Sequence, residues 1–402
     1  YTGEDMVELQ CHGGLYVLRR VLDAVLSAGA RLAEPGEFTK RAFLNGRIDL
    51  TQAEAVMDVI AAENDFSLRN AERQISGALC ERIRSLREKL LHESAFIEAA
   101  LDDPESFAGE LDGYADRLQT TVSGISREID RLLSHADDGI LLREGVRCAI
   151  IGRPNAGKSS LLNRMAGRDR SIVTDIPGTT RDTVEESVRI GDLTLHLIDT
   201  AGLSNVENID DPVERIGIER AHKAAAEAEL ILFMIDSSEP VTDETIRLFR
   251  ETEGKRRIIL YNKIDIGREP DPDEICALLS EEEQTGIGGR PEEETSRIPV
   301  VCISAKTGQG WKELEEVVSE LLIRDESWLT EDLIIANIRH KHLLAEAQTS
   351  LKALLQTIAD GMTEDFYTVD LMSAYRALGE IIGEEVGEDL VNEIFSRFCM
   401  GK

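Results

Sequence analysis

The stretch GRPNAGKSS, residues 152–160, carries the residue types that a protein needs to hold a chain of phosphates. It matches the pattern GxxxxGK followed by Ser or Thr, and it comes directly after an apolar run that is typical of a strand. Glycines let successive backbone N–H groups wrap around phosphate oxygens at a helix N-terminus, and Lys158 would neutralise the phosphate charge. The hydroxyl of Ser159 is suited to bind Mg²⁺. The pattern predicts a nucleotide phosphate site.

Two later motifs carry groups that could recognise a base. NKID, residues 262–265, follows another apolar run and resembles the guanine-reading motif of GTPases. The Asp265 carboxylate can accept from the ring N–H and the exocyclic amine of guanine, whereas adenine presents the opposite pattern at that edge. SAK, residues 304–306, ends the final apolar run, and its backbone could meet the guanine oxygen. The two motifs favour GTP over ATP.

Two further segments are placed to sense the γ-phosphate. In LIDTAG, Asp199 can hold the magnesium shell through water, and Gly202 can offer its N–H to the γ-phosphate. TDIPGTTRD, residues 174–182, stands where GTPases have their first switch, so Thr180 would be the second hydroxyl ligand of Mg²⁺ by that resemblance. Its Pro-Gly pair also fits a plain turn, and the two interpretations are compatible.

The five motifs together predict the residues that contact GTP. They are Asn155, Ala156, Gly157, Lys158, Ser159, Ser160, Thr174, Asp175, Ile176, Pro177, Gly178, Thr179, Thr180, Asp199, Thr200, Ala201, Gly202, Asn262, Lys263, Asp265, Ser304, Ala305 and Lys306.

Leu203 stands where Ras-type enzymes keep the glutamine that orients the attacking water. Leucine has no hydrogen-bonding group, so it cannot position water. Fast hydrolysis therefore requires that other groups supply both the orientation and the compensating charge.

These motifs lie in a block of alternating strand-like and helix-like segments, about residues 145–324. The strand-like runs are RCAIIG, ESVRI, LTLHLID, LILFMID, RIILYNK and IPVVCIS. Such alternation predicts a mostly parallel sheet that is covered on both faces. EEEQTGIGGRPEEETS, residues 281–296, is acidic and contains glycines, so we expect a surface loop there.

The segments on either side of this block are helical in pattern. Apolar residues recur at three- and four-residue spacing from about Thr51 to Asp137 and again from about Ser327 to Phe398. The first fifty residues are mixed, with a predicted strand at Met6–Cys11 and a predicted helix at Tyr16–Ala28. We expect an α/β domain inserted into a helical one, with part of a small α/β domain before both.

Composition excludes several classes of protein. Of the 402 residues, 77 are acidic and 45 are Lys or Arg, so the formal net charge of −32 disfavours broad binding to nucleic-acid backbone. The six cysteines form no CxxC pair, which is typical of reduced thiols, and no apolar run approaches the roughly 18 residues of a membrane span. We therefore expect a cytoplasmic protein.

The chain begins at Tyr1 within a strand-like pattern, which suggests that an N-terminal segment is missing.

The order of motifs resembles one family, the bacterial and organellar tRNA-modification GTPases known as MnmE or TrmE. The resemblance runs from YTGEDMVELQCHGG through PGEFTKRAFLNGRIDL, GRPNAGKSS, TDIPGTTRD, DTAGL, VERIGIER and NKID to the terminal FCMGK. It implies a partial folate-binding and dimerisation domain over 1–50 and a Ras-like P-loop GTPase domain over 144–325. The helical domain would comprise 51–143 and 326–402.

The family also implies how hydrolysis proceeds without the glutamine. A potassium ion would occupy the place that an arginine finger takes elsewhere, and its ligands here would be Asn155, Thr174, Ile176 and Thr179. Glu214, in VERIG, would orient the water. The same glutamate also fits a solvated first turn of a helix, and both roles can hold in different nucleotide states.

A second chemistry is implied at the ends of the chain. In the family, Glu8, Arg47 and Lys402 would bind a tetrahydrofolate derivative, and Cys399 would lie beside it. From the residues alone, a lone Cys is by default a small buried hydrophobe. The basic run RHKH, residues 339–342, could touch RNA or a partner, but it also fits a solvated helical face.

The resemblance implies a homodimer that uses GTP hydrolysis, K⁺ and Mg²⁺ to modify the wobble uridine of tRNA. The FAD-dependent partner MnmG (GidA) would help to add an aminomethyl or carboxymethylaminomethyl group. Two other classes stay open. A ribosome-assembly GTPase of the Era or Der type should carry a basic KH-like module, and a dynamin-like scaffold should carry a lipid-binding patch; neither is evident in the sequence.

Overall fold

The computed structural model describes residues 1–168, 186–198, 225–267, 298–323, 333–384, 386–396 and 398. The chain divides into two compact units. One unit contains Tyr1–Ile140 together with Thr330–Lys402, and the other contains Leu141–Leu329. The second unit is thus inserted into the sequence of the first.

The inserted unit is built on a six-stranded sheet. Its strands are β1 (Val146–Gly152), β2 (Glu186–Ile190), β3 (Leu193–Leu197), β4 (Leu230–Asp236), β5 (Arg256–Asn262) and β6 (Val300–Cys302). The order across the sheet is β2-β3-β1-β4-β5-β6, and all neighbours are parallel except β2 and β3. The predicted fold class, with its mostly parallel sheet, is confirmed.

The middle of the sheet is apolar on both faces. Every side chain from Leu230 to Ile235 in β4 is buried, and Phe233 packs edge-on against Phe249 with ring centroids 5.0 Å apart. A parallel strand that is covered by helices on both sides needs such an unbroken apolar run. The helices of this unit are α9 (Lys158–Arg168), α10 (Asp243–Arg250) and α11 (Trp311–Leu322).

The other unit is helical. Its helices are α1 (Leu15–Ser27), α2 (Glu37–Leu44), α3 (Leu50–Ala61), α4 (Asp65–Ile75), α5 (Ala78–Asp102), α6 (Pro104–Leu111), α7 (Tyr114–Ser134), α12 (Ile338–Ala359), α13 (Glu364–Ile382) and α14 (Glu388–Ser396). A further helix, α8 (Ala136–Glu144), runs across the sequence boundary between the units. None of the helices in these described ranges is long and apolar enough to cross a membrane.

The helical core follows the predicted spacing. In α5, the side chains of Ile83, Leu86 and Leu90 are almost fully buried, and they recur every three or four residues as one face of a helix requires. Residues of α7, α12 and α13 complete this core. The spacing did not resolve every position, since Leu91 belongs to the predicted pattern yet is exposed.

The predicted strand at Met6–Cys11 is wrong. These residues are described and form no strand, and Val7 and Leu9 are exposed. A strand needs a hydrogen-bonded neighbour, and no described residues pair with this segment. The predicted helix at Tyr16–Ala28 is confirmed within one residue as α1, although none of its side chains is buried.

The basic run at residues 339–342 is neither a charged patch nor simply a solvated face. Arg339 donates to both carboxylate oxygens of Glu54 in α3, at 3.0 and 2.7 Å, and His340 Nε2 lies 2.8 Å from the same carboxylate. His340 is fully buried, whereas His342 is exposed. The first half of the run is therefore an internal ion-pair cluster. The sequence pattern did not predict it, because the partner Glu54 is distant along the chain.

Candidate guanine-nucleotide site

The phosphate loop connects the end of β1 at Gly152 to the start of α9 at Lys158. A Cβ atom at Gly152 would collide with the carbonyl of Met234 in β4, so only glycine lets the two strands stay adjacent there. Asn155 has a φ of 61°, a left-handed conformation that asparagine tolerates better than most residues. Its side chain is exposed at the tip of the loop.

Lys158 closes this loop on itself. Its Nζ atom donates to the carbonyl oxygens of Gly152 at 2.6 Å and Arg153 at 2.8 Å. Burial disfavours the charged form and lowers the pKa of Lys158 to about 8. An ammonium held over a phosphate loop in this way is ready to pair with an anion. Ser159 and Ser160 are exposed in the first turn of α9.

Asn262 joins the phosphate loop to the predicted base-reading turn. Its Nδ2 donates to the carbonyl of Ala156 at 2.8 Å, and its Oδ1 accepts from the N–H of Ala305 at 2.9 Å. Gly157 has a φ of 103°, and a Cβ there would collide with the Asn262 amide. The three predicted segments that the structure describes are thus brought together by one buried side chain.

The turn at residues 304–306 also contacts the NKID segment directly. The buried Ser304 hydroxyl donates to Asp265 Oδ1 at 2.8 Å and accepts from the N–H of Thr307 at 3.1 Å. This contact fixes the orientation of the Asp265 carboxylate, which is exposed. A fixed carboxylate that can accept two hydrogen bonds is the group that guanine recognition requires.

Asp236 is a site residue that the motifs did not identify. It ends β4, and its Oδ2 accepts from Lys263 Nζ at 2.5 Å. Burial raises the pKa of Asp236, but the hydrogen bonds from Lys263 and Ser238 outweigh burial and hold that pKa below its usual value. Lys263 has a φ of 68°, a left-handed backbone conformation that is uncommon for residues other than glycine. Its ion pair with Asp236 fixes the side chain of this residue. Only its place at a strand end could have drawn attention to Asp236.

The structure does not bring the described folate candidates, Glu8 and Arg47, into contact with each other. Glu8 and Arg47 are both exposed, and no hydrogen bond or ion pair joins them within the described ranges. Phe398 does contact the N-terminal region, because a Cβ at Gly36 would lie 2.8 Å from the Phe398 Cβ. Phe398 belongs to a small apolar cluster with Leu50 and Phe395.

Several predicted site residues lie outside the described part of the chain. They are the first switch at residues 174–182, the segment Asp199 to Leu203, Glu214, Cys399 and Lys402. The acidic loop at residues 281–296 lies outside it as well.

The mostly parallel sheet, the phosphate loop and the carboxylate held at the base-reading turn define a P-loop GTP-binding protein. A family model described as the MnmE helical domain matches residues 50–399, and one described as the GTP-binding protein TrmE N-terminus matches residues 1–47. The chain therefore belongs to the MnmE family.

Named relatives agree with this assignment. The tRNA modification GTPase MnmE of Lachnoclostridium phytofermentans is 45% identical over 402 residues, which cover 100% of this chain and 83% of that protein. The tRNA modification GTPase MnmE of Geobacillus kaustophilus is 44% identical over 403 residues, with the same 100% and 83% coverage.

Solved structures of GTP-binding proteins are also similar in part. The G domain of the T. maritima FeoB iron transporter is 28% identical and has a TM-score of 0.29, covering 44% of this chain and 98% of that one. Aquifex aeolicus Era bound to GDP and AlF4⁻ is 25% identical with a TM-score of 0.32, covering 51% and 66%. These TM-scores are too low to support a shared architecture.

Proposed function

We propose that this chain hydrolyses GTP in a cycle that depends on potassium and magnesium and drives modification of the wobble uridine of tRNA. Membership of the MnmE family supports the role in tRNA modification and disfavours the ribosome-assembly alternative. The observation that carries the nucleotide chemistry is the pair of hydrogen bonds that the Asn262 amide makes, one donated to the phosphate loop and one accepted from the base-reading turn, which hold the two segments at a fixed separation.

Phosphoryl transfer depends mainly on positioning and on charge. Lys158 is placed to offset phosphate charge, and Ser159 offers a hydroxyl at the start of α9 that fits a hard cation such as Mg²⁺. Thr180 would supply the second hydroxyl, with Asp199 acting through water. Bound Mg²⁺ would offset the charge that grows on the phosphate oxygens.

Potassium would replace the positive charge that other GTPases obtain from an arginine. The exposed Asn155 side chain at the tip of the phosphate loop offers a neutral oxygen, which suits a large, weakly hydrated cation. Thr174, Ile176 and Thr179 would complete its ligands. Glu214 would orient the attacking water, a role that a glutamine has in Ras-type enzymes and that Leu203 cannot perform.

The proposed cycle also includes a folate site, a second copy of the chain and a partner enzyme. Glu8, Arg47 and Lys402 would hold a tetrahydrofolate derivative in a homodimer, and an FAD-dependent MnmG partner would act with it on tRNA. The packing of Phe398 against Gly36 supports the tail's part in this site, because Phe398 directly precedes Cys399 in the sequence. Cys399 would then lie near the same site.

GTP turnover in potassium and in sodium tests the cation mechanism. We expect GTP turnover by the wild type to be at least about tenfold faster in potassium than in sodium. In potassium, Glu214→Ala should lower turnover about a hundredfold, since the potassium ion and Glu214 both stabilise the transition state. Glu253→Ala is the matched control, because Glu253 is an exposed acid of the same unit. Equal rates in the two salts would contradict the cation role, and an unimpaired Glu214→Ala would remove the assignment of Glu214.

A further inference from the structure

Arg164 reaches from the helix after the phosphate loop to the base-reading turn. It lies in the second turn of α9, where it is half-buried. Its Nε donates to the carbonyl of Ala305 at 2.6 Å, and its Nη2 donates to the carbonyl of Lys306. One guanidinium thus holds two successive carbonyl groups of the turn, a geometry that suits its planar fork of donors.

These bonds determine where the N–H groups of the turn point. In a trans peptide, the carbonyl of one residue and the N–H of the next point in opposite directions. The N–H of Ala305 donates to Asn262, and the N–H of Thr307 donates to Ser304. The N–H of Lys306 shares its peptide with the carbonyl that Arg164 Nε holds, so it points away from the guanidinium. Within the described ranges this N–H makes no hydrogen bond.

We infer that Arg164 is a positioning residue for base specificity. By holding the peptide between Ala305 and Lys306, it aims the Lys306 N–H at the 6-oxo group of guanine. The inference rests on the proposed GTP site, because the base must lie beside the Asp265 carboxylate. The lack of a side chain at Gly308 leaves room for this contact, since a Cβ there would collide with the Arg164 guanidinium.

Competition binding with two nucleotides tests the inference. GDP carries the 6-oxo group, whereas 2-aminopurine riboside 5′-diphosphate keeps the exocyclic amine and lacks that oxygen. We expect Arg164→Met to weaken GDP binding about tenfold, the value of one well-placed hydrogen bond. The same variant should change the affinity for the 2-aminopurine nucleotide less than about twofold, because that base has no acceptor for the Lys306 N–H. Arg164→Lys keeps the charge without the fork and should resemble Arg164→Met.

Arg189→Met is the matched control. Arg189 lies in β2, at the opposite edge of the sheet from β6. This variant should leave both affinities unchanged. An equal loss for both nucleotides in Arg164→Met would show that Arg164 acts through the phosphate loop, and no loss for either would show that it has no role; each result overturns the inference. A wild type that binds neither nucleotide would overturn the proposed function along with it.

Discussion

At the scale of single residues, the half-buried ammonium of Lys158 links nucleotide binding to pH. Its pKa of about 8 reflects burial beside two carbonyl groups. Bound phosphates favour the charged form and raise this pKa, so binding should take up a proton near pH 8. Asn262 acts differently, because its hydrogen bonds join an amide side chain to backbone groups, and none of these groups titrates in this range.

The affinity for GDP should therefore fall as pH rises. With a pKa of about 8 in the free protein, we expect about fourfold weaker binding at about pH 8.5 than at about pH 7, a window in which guanine keeps its ring proton. Calorimetric titration in two buffers of different ionisation enthalpy measures both the affinity and the proton uptake. An affinity that is constant over this window, with no proton uptake, would contradict the assignment.

At the scale of elements, Glu54 connects three helices of the helical unit. It lies in α3 and pairs with Arg339 and His340 near the start of α12, while Arg339 also donates to the carbonyls of Glu380 and Ile381 at the end of α13. Burial raises the pKa of Glu54, but its pairing with His340 and Arg339 outweighs burial and lowers the pKa to about 2.

Glu54→Gln should destabilise the helical unit by about 3 kcal/mol, because it leaves the Arg339 guanidinium without its carboxylate. Urea unfolding at neutral pH, followed by helical circular dichroism, measures this loss. The pKa is lowered in the folded state, so the stabilisation is present above about pH 4.5 and is lost as pH falls toward about 2. Glu98→Gln, an exposed acid in α5, should change stability by less than about 0.5 kcal/mol. Equal effects of the two substitutions would contradict the structural role of Glu54.

The elements also show how far the sequence alone could predict this molecule. Apolar runs such as LILFMID predicted the strands of the sheet, because a buried parallel strand needs an apolar side chain at nearly every position. The pairing of Glu54 with Arg339 could not be predicted, since a helical pattern gives the buried face of each helix but not its partner. The wrong strand at residues 6–11 has the same cause, because alternation is present there and a partner strand is not described.

The candidate site was predictable only in part. The phosphate loop and the NKID and SAK motifs carry their chemistry in contiguous residues, so their spacing was sufficient. Asp236 and Arg164 act through contacts with other segments, at the end of β4 and along α9, and no local pattern marks them.

At the scale of the whole molecule, the chain consists of two compact units. The residues predicted to contact the nucleotide all lie in the unit of Leu141–Leu329, and the ion-pair cluster of Glu54 lies in the other. A ligand stabilises the part of a protein to which it binds, by an amount set by its concentration relative to the dissociation constant.

GDP should therefore protect one unit more than the other against hydrogen exchange. At a concentration about a hundredfold above its dissociation constant, we expect protection of β1, β4 and β5 to increase by up to about a hundredfold. Amides of α5 and α12 should change little, and they serve as the internal control. An equal increase in both units would show that they unfold together.

Asp265→Asn tests the central claim, that this chain recognises guanine through a fixed carboxylate, most directly. Xanthine carries a carbonyl where guanine has its exocyclic amine, so an amide at this position can donate where the carboxylate could only accept. We predict that the variant loses GTP turnover by at least about a hundredfold and gains turnover of xanthosine triphosphate, while the wild type shows the reverse preference. Undiminished GTP turnover by the variant would contradict the claim.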